Sequence, residues 1–258
     1  MSTSTPIPPG GSGAQAEEEN TEVEVVPSFK AVMGVQVVDI NVGRGNVKIH
    51  FRVHKTLLCA KVLYFEKMFK SGFKEATDNK VSMPEDDPKA FDLLMLWVYT
   101  GNLPPFEWVL KPPTNLGNFD ALTLYALADK MCLENVMDLI ATSYIEAFRV
   151  QGALPRAEYL GSLYTKLPEH TALRKYASYS LHYILHGPPQ TPENVKIWPA
   201  DKLNDTMAKH PTLTLEYVQL VQKLPHGQAV PDPRLLPPRT FHQHAADALC
   251  PVKLTSTG

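Results

Sequence analysis

At Lys55 the spacing of apolar residues changes from two to between three and four, and this switch constrains the fold more than any other feature of the chain. Upstream, Val38, Ile40 and Val42 alternate with Asp39 and Asn41, while Val47, Ile49, Phe51 and Val53 alternate with Lys48, His50 and Arg52. Alternation of this kind predicts two half-buried strands, because successive side chains of a strand point to opposite faces. Gly43-Arg44-Gly45-Asn46 lies between them and tolerates the positive φ of a tight turn, so the strands should pair as a hairpin. A phosphate-binding loop is the functional competitor for that turn. It would run into a helix with the proper glycine spacing or end in Gly-Lys-Ser/Thr, and here a second strand follows instead.

Downstream of the switch, Leu58, Val62, Phe65 and Phe69 recur at steps of four, three and four, predicting a pair of short helices that end at Gly72. A short strand is expected around Val81 and Met83. Asp86-Asp87 then caps a helix with Pro88 at its first position, Phe91, Leu94, Met95 and Val98 line its buried face, and Gly101 stops it. Residues 102–118 carry Pro104-Pro105 and Pro112-Pro113 with bulky Phe106 and Trp108, and Phe119 follows; a variable loop and candidate recognition segment is expected there. Leu122, Tyr125, Leu127 and Ala128, then Val136, Leu139, Ile140, Tyr144 and Phe148, predict two helices closed into a hairpin through Cys132-Leu133-Glu134-Asn135.

The remaining segments are read mainly from composition. Residues 1–28 are rich in Ser, Thr, Pro and Gly and then in Glu, too poor in apolar groups to offset the entropy of ordering, and are expected to be a disordered acidic leader. From 149 to 224 a helical extension is expected. Leu173, Tyr176, Ala177, Ser180, Leu181 and Ile184 share one helix face, and Tyr217, Leu220, Val221 and Leu224 another after Pro211. From Pro225 to 258 proline is dense and periodicity vanishes, so a disordered tail is expected.

A net charge of −2 and a pI near 6.5 supply no basic field for nucleic acid or an anionic membrane, and no apolar run approaches a membrane span. Cys59, Cys132 and Cys250 are odd in number and widely spaced, as plain thiols of a reducing compartment would be, and the expected location is cytoplasmic and/or nuclear. Constellations for chemistry are weak. His182 and His186 share a helix face at metal-binding spacing but lack a glutamate or third ligand, and His186 is read as meeting the last carbonyls of its helix. His50 and His54 fit the strand-to-helix junction, Cys59 fits a buried inert thiol, and Glu85, Asp86 and Asp87 fit a helix cap. The expectation is no catalytic, cofactor or metal site, no small-molecule substrate, and no enzyme.

Residues 35–148 resemble the BTB/POZ fold, and specifically the short BTB proteins of filamentous fungi. The residues that carry the likeness are Val38-Asp39-Ile40-Asn41-Val42-Gly43, the run from Phe51 to Leu58, Phe65 with Phe69, Met83 to Pro88 before Phe91, Trp97-Val98-Tyr99-Thr100-Gly101, and Leu127-Ala128-Asp129-Lys130. Leu173-Arg174 marks the helical extension of the same group. The resemblance implies an α/β (α+β) fold, with a BTB domain over 29–148, a small three-stranded sheet flanked by helical hairpins, and an all-helical extension.

It also implies a protein–protein interaction module, often a homodimer. Asp39 and Lys55 occupy the positions of a charged pair at the family's dimer seam, with His54, Leu57 and Leu58 beside them; the alternative is that the pair ties hairpin to helix within one subunit. The segment Val23 to Val32 is a candidate to add a strand across the seam. Phe73-Lys74-Glu75, with Tyr99 nearby, has the form of the family's cullin-contact triplet, so a second expectation is a substrate adaptor of a cullin ubiquitin ligase. Val62 stands where many relatives carry serine, and the 102–118 insertion alters the surface at the Tyr99 end. A third expectation is a transcriptional co-regulator acting through a DNA-binding partner.

Overall fold

The computed structural model describes Met1 and residues 28–72, 74–104, 120–188, 191–224 and 229–245, together with 247, 248, 250 and 252. Strand β1 (Val37–Val42) lies at the centre of a three-stranded sheet, antiparallel to β2 (Ile49–His54) and parallel to β3 (Lys80–Met83). The expected alternation holds on β1, where Val38, Ile40 and Val42 are fully buried. It fades along β2. Val47 leaves the strand in a 3-10 turn over Gly45–Val47 and is exposed, as is Ile49, because neither reaches the helices that cover the sheet. Gly43 has φ 85°, and a side chain there would collide with the ring of Pro88, so the hairpin turn needs glycine for both conformation and space.

The chain passes from β2 to β3 through α2 (Lys55–Lys61), α3 (Leu63–Lys70) and α4 (Lys74–Asp78). Val62 breaks α2 from α3 by adopting an extended backbone while its side chain stays buried, so apolar spacing continues across a real interruption. Helix α5 (Pro88–Thr100) starts as its sequence requires. The Asp87 carboxylate accepts the Ala90 N–H at 2.8 Å, Pro88 occupies the first turn, and Gly101 closes the end with a left-handed φ of 73°. Beyond it, α6 (Ala121–Lys130) and α7 (Glu134–Val150) form the expected helical hairpin, α7 running slightly past the expected domain end. Phe106, Trp108 and Phe119 lie outside the described residues.

Among the described residues, five helices make up the extension: α8 (Ala157–Lys166), α9 (Ala172–His186), α10 (Pro192–Ile197), α11 (Ala200–Lys209) and α12 (Pro211–Lys223). The predicted face of α9 is buried at every one of its six positions. Extension and sheet domain share one continuous core, joined where Tyr144 and Phe148 of α7 meet Tyr176 of α9 with ring centroids 6.2 and 6.3 Å apart. Arg174 is structural: it is buried over the Tyr164 ring and donates to the Tyr164 carbonyl at 3.0 Å.

Expectations for the two ends of the chain also fail. Residues 29–33 form a short helix, α1 (Phe29–Met33), capped by the Ser28 hydroxyl, so this part of Val23 to Val32 is not a strand; 23–27 lie outside the described residues. The tail from 225 onward is also not disordered as a whole. Pro238–Phe241 forms a 3-10 turn, and Phe241 is fully buried against Tyr176 and Tyr179 at 5.3 and 5.5 Å. Lys175 of α9 donates to the Thr240 carbonyl at 2.8 Å. Irregular straps have no period to read, and this one is held by one aromatic anchor and hydrogen bonds to helices. Among the described residues no helix is long and apolar enough to cross a membrane.

Candidate functional site

The residues expected at a seam do not converge. Asp39 faces Arg52 directly across the hairpin and His50 diagonally, accepting from Arg52 Nε at 3.0 Å and lying 2.9 Å from His50 Nε2. The Arg52 guanidinium holds the Asp39 carboxyl below the usual carboxylate range, and Arg52 is raised in return. Lys55 points elsewhere, donating to Asn79 Oδ1 at 2.7 Å with its ammonium 4.8 Å from the centroid of the Phe69 ring. The reading that Asp39 and Lys55 tie hairpin to helix within one subunit is therefore overturned. Asp39 has a nearer cation on the neighbouring strand, and Lys55 has an amide and an aromatic face. The turn expected over 43–46 would set Asp39 opposite His50; the longer connection, which pairs Val42 with Ile49, moves Asp39 opposite Arg52 instead.

Leu57 and Leu58 are buried in the subunit core, at 5% and 0% exposure. His54 and Tyr99 do meet. The Tyr99 hydroxyl accepts the His54 backbone N–H at 3.0 Å and lies 2.9 Å from His54 Nδ1, which fastens the end of α5 to the start of α2. Its hydroxyl is thus engaged within the chain. Glu75 is half-buried on α4, and Phe73 lies outside the described residues.

What sequence reasoning missed is the exposed apolar run leading into the sheet. Helix α1 buries none of its residues, and Phe29, Val32, Val35 and Val37 are exposed in succession, Phe29 at 74% and Val35 at 78%. Gly34, at φ 70°, lets this segment lie against α2, because a side chain there would overlap Thr56. The placement of α1 is therefore defined, with Met33 packed against the core while Phe29 and Val32 face outward. Reading residues 23–32 as a strand hid a helix whose Ser28 cap was visible.

The two histidines of α9 lie with ring centroids 5.1 Å apart. His186 Nε2 lies 2.6 Å from the Tyr217 hydroxyl of α12, which replaces the expected contact with the end of its own helix. Burial, with His186 alongside, holds the His182 imidazole below its ordinary value. The unfolded chain therefore takes up this proton first as pH falls through about 6.5. Stability from His182 is complete above that pH and declines below it. Melting temperature followed from pH 8 to 5 should fall less steeply for His182→Gln than for wild type; parallel curves would disprove the assignment.

Residues 34–147 match the family model described as the BTB/POZ domain. The chain is similar to TD and POZ domain-containing protein 4 of Mus musculus, 29% identical over 103 residues, which cover 40% of this chain and 25% of that protein. It is also similar to Kelch repeat and BTB domain-containing protein 7 of Homo sapiens, 28% identical over 108 residues covering 42% of this chain and 14% of that protein. Rho-related BTB domain-containing protein 1 of Mus musculus is 27% identical over 134 residues, covering 51% of this chain and 18% of that protein. The matching segments thus span a quarter or less of these relatives.

Proposed function

We propose, from the premise that residues 34–147 of this chain are a BTB/POZ domain, that the protein is a non-enzymatic interaction module whose first partner is a second copy of itself. The observation that carries this reading is α1, a helix held in place with Met33 against the core yet exposing Phe29 and Val32, followed by exposed Val35 and Val37. A twofold interface presents the same patch twice, so Phe29 and Val32 of one copy would face their equivalents in a symmetric contact. A stable interface removes roughly 1,000 Å² or more from water, with bulky apolar residues at its centre. A seam role for Asp39 with Lys55 of the second copy would require each to leave its present partners, so we place the seam on α1.

Light scattering tests this. Wild type should have twice the 28.7 kDa chain mass, and Phe29→Asp combined with Val32→Asp should give the single-chain mass with unchanged helical content. A wild-type monomer at tens of micromolar, or a dimeric double variant, would overturn the proposal. Asp39→Asn should leave the mass unchanged.

The adaptor reading, with Phe73, Glu75 and Tyr99 against a cullin, rests on family resemblance and is tested by cullin capture with wild type and Phe73→Ala. Equal capture by both, or none by either, would remove it. Nuclear fractionation tests the co-regulator reading.

A further inference from the structure

Where the tail crosses α7, three groups with metal-ligand chemistry come together around buried Asp138. The potential ligand atoms of His242, His244 and Cys250 lie within 4.8 Å of one another. Asp138 is fully buried, and its carboxylate accepts the Gln243 N–H at 2.5 Å and the His244 N–H at 3.4 Å. It also meets His244 Nδ1 at 2.5 Å. A carboxylate only accepts, so the proton of a neutral His244 ring sits on Nδ1 and the lone pair is left on Nε2. That Nε2 is buried and has no hydrogen-bond partner, on a side chain that is 7% exposed. A buried nitrogen left this way costs roughly 1–3 kcal/mol unless something occupies its lone pair.

His242 is arranged in the complementary way. Its Nε2 lies 2.8 Å from the Thr142 hydroxyl of α7, which leaves Nδ1 directed to Cys250 Sγ at 3.5 Å. That separation equals the edge of about 3.5 Å expected between nitrogen and sulfur on a tetrahedral zinc ion. Each imidazole therefore has one nitrogen held by a partner on α7, while the other faces the Cys250 thiol in His242 and is left unpaired in His244, an arrangement like that by which outer partners orient metal-binding histidines. Closing the widest gap asks for roughly 1 Å of movement.

We propose that His242, His244 and Cys250 bind one zinc ion, with Asp138 and Thr142 as positioning residues on α7 and a water in the fourth position. One thiolate and the Asp138 carboxylate balance the dication, so the buried group carries no net charge. Binding releases the Cys250 thiol proton to solvent, with no change of oxidation state. The ion would staple the tail to the helix that joins the sheet domain to the extension. The alternative is a simple thiol-to-imidazole hydrogen bond, which gives no use for the bare His244 Nε2.

The test uses the full chain, stripped with chelator under reducing conditions and titrated with cobalt(II) and then zinc(II). Cobalt should bind at one per chain with a thiolate-to-metal charge-transfer band in the near ultraviolet, and zinc should displace it. Cys250→Ser should abolish that band, and His244→Ala should weaken zinc at least tenfold. Asp138→Asn should weaken it by about 10–100-fold. His182→Ala combined with His186→Ala should change nothing. Each of these variants should keep its helical signal, so circular dichroism separates loss of site from loss of fold. The proposal is overturned if folded wild type gives no thiolate band at one equivalent. It is equally overturned if the band survives in Cys250→Ser, which would place the metal on Cys59 or Cys132.

Discussion

Phe91→Ala is expected to lower the unfolding free energy by about 3–5 kcal/mol, the range for an aromatic side chain removed from a packed core. Phe91 is fully buried on α5, and its ring links two layers, lying 5.0 Å from Phe51 of β2 and 6.3 Å from Phe65 of α3. Phe65 in turn stacks on Phe69 at 6.3 Å, and Lys55 sits over the Phe69 ring. Removing Phe91 thus opens a cavity between the sheet and its covering helices, and neither side can move inward without breaking strand pairing or helix packing. Urea unfolding followed by circular dichroism should show an earlier midpoint. Leu96→Ala, on the same helix but 43% exposed, should stay within about 0.5 kcal/mol of wild type. Equal losses from the two would show that Phe91 is not the centre of this core.

Asp138→Ala is expected to release the tail. The substitution removes three hydrogen-bonding contacts at once and leaves the Gln243 and His244 N–H groups and His244 Nδ1 with no acceptor. Holding those donors buried and unpaired would cost about 3–5 kcal/mol, so the strap should detach into water while the helices remain folded. Cleavage at an opening site follows the population of the open form, and about 3 kcal/mol corresponds to a rate increase of roughly 100-fold. Trypsin cleavage after Arg239, in chelator-containing buffer, should rise by that amount with little change in helical signal. An unchanged rate would show that Phe241 alone holds the strap.

Much of the first hundred residues of the fold was legible because local rules act there without competition. The Asp87 cap, Pro88, the Gly101 stop and the alternation on β1 each express a backbone preference or a period carried within a few residues. The candidate site was less legible. Resemblance placed Asp39 beside Lys55, and the hairpin register paired Asp39 with Arg52 and sent Lys55 to Asn79. Leu57 and Leu58 were expected beside a dimer seam, and within the single chain the turn of α2 carries both into the core.

By itself, the sequence determined the three strands, the paired helices α2 and α3, the cap and stop of α5, the α6–α7 hairpin, and the BTB/POZ likeness of the region around residues 35–148, because those depend on spacing and backbone chemistry within short windows. Only the tertiary structure decided that α1 shows Phe29 and Val32 to solvent and that a proline-rich tail docks through Phe241. It alone gathered His242, His244 and Cys250 around Asp138, about a hundred residues earlier in the chain. The reason is geometric: an irregular strap has no period of its own, and its partners are set by where α7 and α9 already lie.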